Sequence, residues 1–281
     1  MMHYLFHRYW LVNVNRQGDT LLATSQYMDT ACEMAGIMRV GVTDFRVTGA
    51  RVETYRAPEG AGPAGTTELD ALVGVTAYPG AGREVRRAVA HDPTGRWADL
   101  LLEGIKGLFQ AEYAVFRERG FATEADFDTW FWRDFAGTCV YYSNPGQGLR
   151  EFSDHIRDQV RGGCCFNRHR YCSITDSGEE YLVQAGLSDS FHEMGIALRV
   201  KTGSMEILHA GGHTLRALDT ICQRGPERLA MLPGIPLTTA ARKQMMDAAG
   251  GPAGCTHLAD LVLEGVKTLE LALSGGRKPE V

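Results

Sequence analysis

No run of apolar residues in this sequence approaches the ~20 that cross a bilayer as a helix, which excludes a helical membrane anchor. Basic charge is not in excess either: 29 Lys and Arg stand against 34 Asp and Glu, a formal net charge of −5. A protein with that balance has no electrostatic stripe for nucleic acid, so no nucleic-acid partner and no membrane are expected. The first ten residues, Met-Met-His-Tyr-Leu-Phe-His-Arg-Tyr-Trp, lack the basic region, long apolar core and small-residue cleavage site of a secretory signal. Cysteine is nearly absent from the first half, where only Cys32 precedes residue 139, and the total of seven is odd. Such a set is not a secreted disulfide framework; it fits metal-binding or reactive thiols in a reducing cytoplasm, the expected location. Also missing are a Walker loop, a Gly-x-Gly-x-x-Gly fingerprint, a His-Glu-x-x-His pair and a Gly-x-Ser-x-Gly elbow. Their absence moves nucleotide hydrolases, Rossmann-type dehydrogenases, zincins and typical serine hydrolases out of the front rank.

What is present is concentrated near the C-terminus. A glycine-rich turn over 250–254 leads into Cys255, with His257 two residues on, followed by an apolar helical run through Leu258, Leu261, Val262, Val266 and Leu269. A thiol at a helix start sits among unpaired N–H groups at the positive end of the dipole, an environment expected to lower its pKa. The blander reading of the same residues is a turn, a helix cap and an exposed histidine.

The helix also occurs earlier in the chain. Ala98-Asp-Leu-Leu-Leu-Glu-Gly-Ile-Lys106 repeats as Ala259-Asp-Leu-Val-Leu-Glu-Gly-Val-Lys267 at an offset of 161, and His7-Arg8-Tyr9 repeats as His169-Arg170-Tyr171 at 162. Glu33-Met34, Arg39-Val40 and Gly74 recur at 160. Register kept over a hundred residues predicts a tandem duplication. The expected fold is α+β: two tandem modules, each an antiparallel sheet followed by helices, related as a pseudo-dimer by a two-fold axis. The expected domains are a first module at 1–115, an aromatic connector at 116–163, and a second module at 164–275. The copies differ where chemistry is concerned: Thr94 stands opposite Cys255, Arg96 opposite His257, Gly62 opposite Cys222, and Cys32 opposite His192.

Taken in order, strands are expected at 4–14, 20–27, 33–42 and 44–55. A Pro/Gly-rich loop follows at 57–66, then helices at 67–73, 82–90 and 96–119. The connector holds ten of the 25 aromatic residues, too many for a flexible linker, so it must pack. The spacing of Phe127, Trp130, Phe131 and Phe135 predicts one helix face, leaving Trp132 off it as the residue for a ligand or partner protein. In the second copy strands are expected at 170–175, 180–187, 191–202 and 204–208. His209 and His213 are then placed in a turn around Gly211-Gly212, Cys222 at the end of the sheet, a helix at 238–249, and a frayed tail at 275–281.

The second copy resembles the bacterial family called domain of unknown function 2889. The resemblance rests on His169-Arg170 on a first strand, His192-Glu193-Met194 before another, Cys222 ahead of 229–234, and Gly254-Cys255-Thr256-His257-Leu258 opening the last helix. It covers about 110 residues, with Glu193 where an Asp is expected. The family has no settled activity, so the likeness implies a fold and a site more than a function. A weaker likeness, of fold type alone, is to iron–sulfur scaffold modules of the NifU and SufE type.

His192, Cys222, Cys255 and His257 together make two thiolates and two imidazoles, a donor set suited to zinc, iron or an iron–sulfur cluster. The expected role is binding or carrying that centre. One alternative is a cysteine-dependent enzyme on a small acyl or aromatic substrate, with Cys255 as nucleophile, His257 or His192 as base, and Glu193 to orient it. Another is a non-catalytic assembly protein working through its aromatic connector.

Overall fold

The computed structural model describes residues 2–57, 61, 63–148, 150–158 and 161–274. The expected tail at 275–281 and part of the 57–66 loop, including Gly62, lie outside the described residues. The chain is mixed helix and strand, built on antiparallel sheet, and divides into two compact units. One, here the N-unit, holds residues 9–129 and 153–169; the other, the C-unit, holds residues up to Arg8, Trp130–Phe152 and everything from Arg170 on. Of the expected connector at 116–163, residues 116–129 and 153–163 fall in the N-unit and 130–152 in the C-unit.

The strands of the first half are β1 (His3–Gln17), β2 (Thr20–Asp29), β3 (Glu33–Gly41), β4 (Val47–Arg56) and β5 (Gly65–Glu68). Those of the second half are β6 (Cys164–Asp176), β7 (Glu180–Asp189), β8 (Glu193–Lys201) and β9 (Ile207–Arg216). Each hairpin arises from strict alternation: in β2, Leu21, Ala23, Ser25, Tyr27 and Asp29 point inward while their neighbours face outward. The pairing of β2 with β3 runs from Thr20↔Gly41 to Met28↔Glu33, and that of β7 with β8 from Glu180↔Lys201 to Ser188↔Glu193. Both β3–β4 and β8–β9 carry register shifts at equivalent places, Glu33/Met34 and Arg39/Val40 in one, Glu193/Met194 and Arg199/Val200 in the other. Phe45 and Met205 take the left-handed conformation in the turns that follow.

The helices are α1 (Gly82–Ala88), α2 (Trp97–Ala111), α3 (Glu124–Phe135), α4 (Phe152–Asp158), α5 (Arg242–Ala249) and α6 (Thr256–Ser274). Helix α6 buries Leu258, Leu261, Val262, Val266 and Leu269 at three- and four-residue spacing against β7 and β8. Gly265 is needed for that approach, since a Cβ there would lie 2.9 Å from Val183 Cγ1. The C-unit core gathers Ile174, Val183, Leu198, Val200, Leu232, Met245 and these helix residues. None of the described helices is long and apolar enough to cross a membrane.

Several expected elements differ. The segment expected as a helix at 67–73 is instead the end of β5 followed by a single 3-10 turn, Asp70–Leu72, because Thr66 and Thr67 pair with Glu53 and Val52. The helix expected at 96–119 ends at Ala111 and tightens into a 3-10 turn, Glu112–Val115. His209 and His213 are not in a turn but exposed on β9, opposite Arg199 and Gly195. Gly211-Gly212, a turn signal by sequence, sits mid-strand because a Cβ on Gly212 would meet Leu229 Cδ1 at 2.6 Å and Gly195 O at 2.7 Å. Cys222 lies beyond the sheet in a 3-10 stretch, Thr220–Met231. In α3, Phe127 and Phe131 are buried, whereas Trp130 and Trp132 are both half-buried. Trp132 packs within its own unit, its ring 5.1 Å from both Tyr141 and Tyr142.

Candidate functional site

The turn joining β7 to β8 is Asp189-Ser190-Phe191-His192, closed by the Asp189 N–H donating to the His192 carbonyl at 2.8 Å. Asp189 organises it. Its Oδ1 accepts from the backbone N–H groups of Phe191 (2.8 Å) and His192 (2.7 Å), an Asx turn that fixes the loop through its own side chain. The same oxygen lies 3.2 Å from His192 Nδ1. Arg216, at the end of β9, clamps the turn from outside by donating to the carbonyls of Asp189 and His192 at 2.8 and 3.2 Å. Asp189 and His192 are both buried, at 4% and 8% relative exposure.

The other half of the site comes from the start of α6. Its approach loop is tight: a Cβ on Gly254 would fall 2.2 Å from the Ala249 carbonyl, so only glycine fits. Cys255 caps the helix, its carbonyl accepting from Ala259 N at 3.0 Å. At the second position of α6, His257 brings its ring to 4.3 Å, centre to centre, from that of His192. Donor atoms of Asp189, His192 and His257 all lie within 4.8 Å of one another, the single such group of three or more among the described residues.

The structure thus brings together two of the four residues singled out by sequence, His192 and His257, and adds Asp189 to them. Neither Cys222 nor Cys255 belongs to that group. Glu193, the expected orienting carboxylate, is exposed on β8, because strand alternation turns it away from the side His192 faces. The carboxylate beside the His192 ring is that of Asp189, at 3.2 Å. It was legible as Asp-Ser-Phe-His, an Asx-turn signal three residues ahead of the histidine, but the sequence alone offered no reason to couple it with α6.

The N-unit presents the same positions with different side chains. Asp29 Oδ1 accepts from the N–H groups of Ala31 and Cys32 at 2.8 and 2.7 Å, and Arg56 donates to the carbonyls of Thr30 and Asp29 at 2.7 and 2.9 Å. In place of the two imidazoles are Cys32 and Arg96, and the Arg96 guanidinium lies 3.4 Å from Asp29 Oδ2. Tyr27 also donates its hydroxyl to that oxygen, whereas the corresponding Leu187 has no donor to offer. One turn holds a fixed cation over its carboxylate; the other holds a pair of imidazoles.

The expectation of an activated Cys255 is not met. Burial is the largest influence and pushes the thiol up to about 12; the N–H groups of Leu258 and His257 at the helix start act in the opposite direction but are outweighed. Burial likewise raises Cys222 to about 11. Both shifts favour the protonated thiol near neutral pH. Both should resist iodoacetamide in the folded protein near neutral pH, and labelling should accelerate as pH rises, read by peptide mass spectrometry at successive pH values. Cys255 labelling ahead of the other cysteines at pH 7.5 would restore the nucleophile.

No curated protein and no solved structure matches the chain, so the likeness to NifU- and SufE-type modules gains no structural counterpart. Residues 173–269, a segment that contains Asp189, His192, Cys222, Cys255 and His257, match the family model described as a protein of unknown function (DUF2889), which supports the resemblance to that family.

Proposed function

We propose that this protein binds or carries a single transition-metal ion, zinc or iron, in its C-unit through Asp189, His192 and His257. The observation that carries the reading is the contrast between the two turns. In the N-unit the Arg96 guanidinium lies 3.4 Å from the Asp29 carboxylate. The C-unit has His257 at that position and a second imidazole, His192, converging on the same carboxylate. A carboxylate and two imidazoles whose donor atoms lie within 4.8 Å of one another are ligand types that hold a divalent ion. Two nitrogens and one oxygen suit zinc or ferrous iron and leave coordination positions open for water or a ligand, unlike a closed structural site. A group without thiolate favours a single ion over an iron–sulfur cluster.

The matching registers and paired turns also support descent of both units from one duplicated module. The raised proton affinity of Cys255 removes the main support for a thiol-dependent enzyme.

Metal analysis of protein purified without chelator, or stripped and reloaded with Zn²⁺ or Fe²⁺, tests the proposal. About one ion per chain is expected, falling to background in His192→Ala. Failure of the stripped wild-type protein to take up either ion would remove the proposed function.

A further inference from the structure

The Asp/His group leaves unused the thiols that the sequence drew attention to, and adds a third to them. We propose that Cys139, Cys222 and Cys255 form a separate binding site for a thiophilic metal ion. It does not depend on the Asp189–His192–His257 reading.

Three segments of the C-unit deliver these residues to one place. The stretch after α3 runs alongside the start of α6: Val140 N donates to Gly254 O at 2.9 Å, and Thr256 Oγ1 donates to Thr138 O at 2.9 Å. Those two bonds flank Cys139 on one segment and Cys255 on the other, so the two residues stand opposite each other. The third contributor is the 3-10 stretch Thr220–Met231, capped by Asp219, whose Oδ1 accepts from Ile221 N at 2.9 Å and whose Oδ2 accepts from Arg150 N at 2.8 Å. Gly225 of this stretch is packed on Cys255, since a Cβ there would lie 2.9 Å from the Cys255 Cβ. In a 3-10 helix residues i and i+3 eclipse, so Cys222 shares the face that Gly225 presents to Cys255.

All three are free cysteines. A set of three sulfurs selects soft ions such as Cu(I) or Cd²⁺, and also accepts zinc, over hard ions. The sulfurs are not drawn within 4.8 Å of one another, so loading requires them to close in. Each side chain has one rotatable bond for that purpose. As each metal–sulfur bond forms, one S–H bond breaks and its proton passes to solvent; no electrons are transferred. The neighbours of Cys139, Thr138 and Val140, lie outside the matched 173–269 segment and are hydrogen-bonded to the helix start inside it.

The probe is Cd²⁺ titrated into the reduced full-length protein under argon, followed by sulfur-to-cadmium charge-transfer absorption in the ultraviolet. Saturation is expected at about one thiolate-bound ion per chain, with affinity lowered at least about tenfold in Cys139→Ser and in Cys222→Ser. His192→Ala should keep the absorption while losing the zinc or iron of the other site, so the two proposals fail separately. If the serine variants do not fold, as judged by circular dichroism, protection in the wild-type protein decides. Bound Cd²⁺ should shield Cys139, Cys222 and Cys255 together from alkylation at alkaline pH and leave Cys164 labelled. Absence of the charge-transfer band, a band unaffected in folded Cys139→Ser, protection that omits Cys139, or recovery of the three as disulfides under argon would each overturn the proposal.

Discussion

Replacing His257 with Arg should abolish metal binding in the C-unit and leave the unit folded. The N-unit shows why. Its turn 29–32 has the same backbone hydrogen bonds as 189–192, and Arg96 fits over Asp29 with its guanidinium 5.5 Å from the centre of the Tyr27 ring. An arginine at 257 would bring a permanent positive charge to Asp189, removing one donor and repelling the ion from the other two. The loss in affinity should exceed the ~100-fold typical of outer-shell changes. The metal-free variant should melt no lower than the metal-free parent, because a guanidinium would then face the buried carboxylate as Arg96 faces Asp29. Isothermal titration with Zn²⁺ and thermal unfolding of both stripped proteins measure the two effects. Undiminished zinc affinity in His257→Arg would mean that the ion, if bound at all, is held elsewhere.

A second large effect is expected from Glu264, where two arginines meet one carboxylate inside the C-unit. Arg8 Nε lies 2.6 Å from Glu264 Oε1, and Arg170 Nη2 lies 3.4 Å from Oε2, with all three side chains at most 8% exposed. Arg8 also donates to the Glu264 carbonyl at 3.3 Å. Breaking such a set from the acidic side leaves two buried guanidinium groups without that carboxylate, a loss of about 3–5 kcal/mol. Glu264→Gln should therefore lower the unfolding free energy read from urea denaturation sharply, by a large fraction of the ~5–15 kcal/mol that a domain has in total. The triple variant Arg8→Met, Arg170→Met, Glu264→Leu should recover most of it, since apolar groups of similar volume need no counter-charge. A Glu264→Gln protein as stable as its parent would show that the cluster is hydrated and contributes little. Glu264 also bears on Cys172: burial, and after it the Glu264 charge, push that thiol up to about 12.

Much of the fold was written locally. The Leu-Glu-Gly-Ile/Val-Lys motif specified α2 and α6, and the alternation in 20–29 and 180–189 specified β2 and β7, because a helix face and a strand face each need only their own periodicity. The glycines misled where their reason was a distant contact: Gly211-Gly212 reads as a turn, and only the approach of Leu229 and Gly195 shows why it is a strand. Histidine placement followed the same division. That His192 and His257 differ from Cys32 and Arg96 was visible by offset alone. That their rings meet over Asp189 depends on the β7–β8 turn and the α6 start being packed together across 65 residues of chain, which no local pattern encodes.

The fate of Cys255 separates the two levels most clearly. Its place at a helix N-terminus was determined by the sequence, and the N–H groups of Leu258 and His257 do act on it in the expected direction. Its proton affinity was decided by tertiary structure, since desolvation depends on how completely the surrounding elements cover the sulfur, and here it outweighs two backbone donors. The same holds for the donor set: the sequence supplied the imidazoles and thiols, and packing alone placed His192 and His257 beside Asp189 and left Cys222 and Cys255 out of that group, because only the folded chain determines which side chains share a volume.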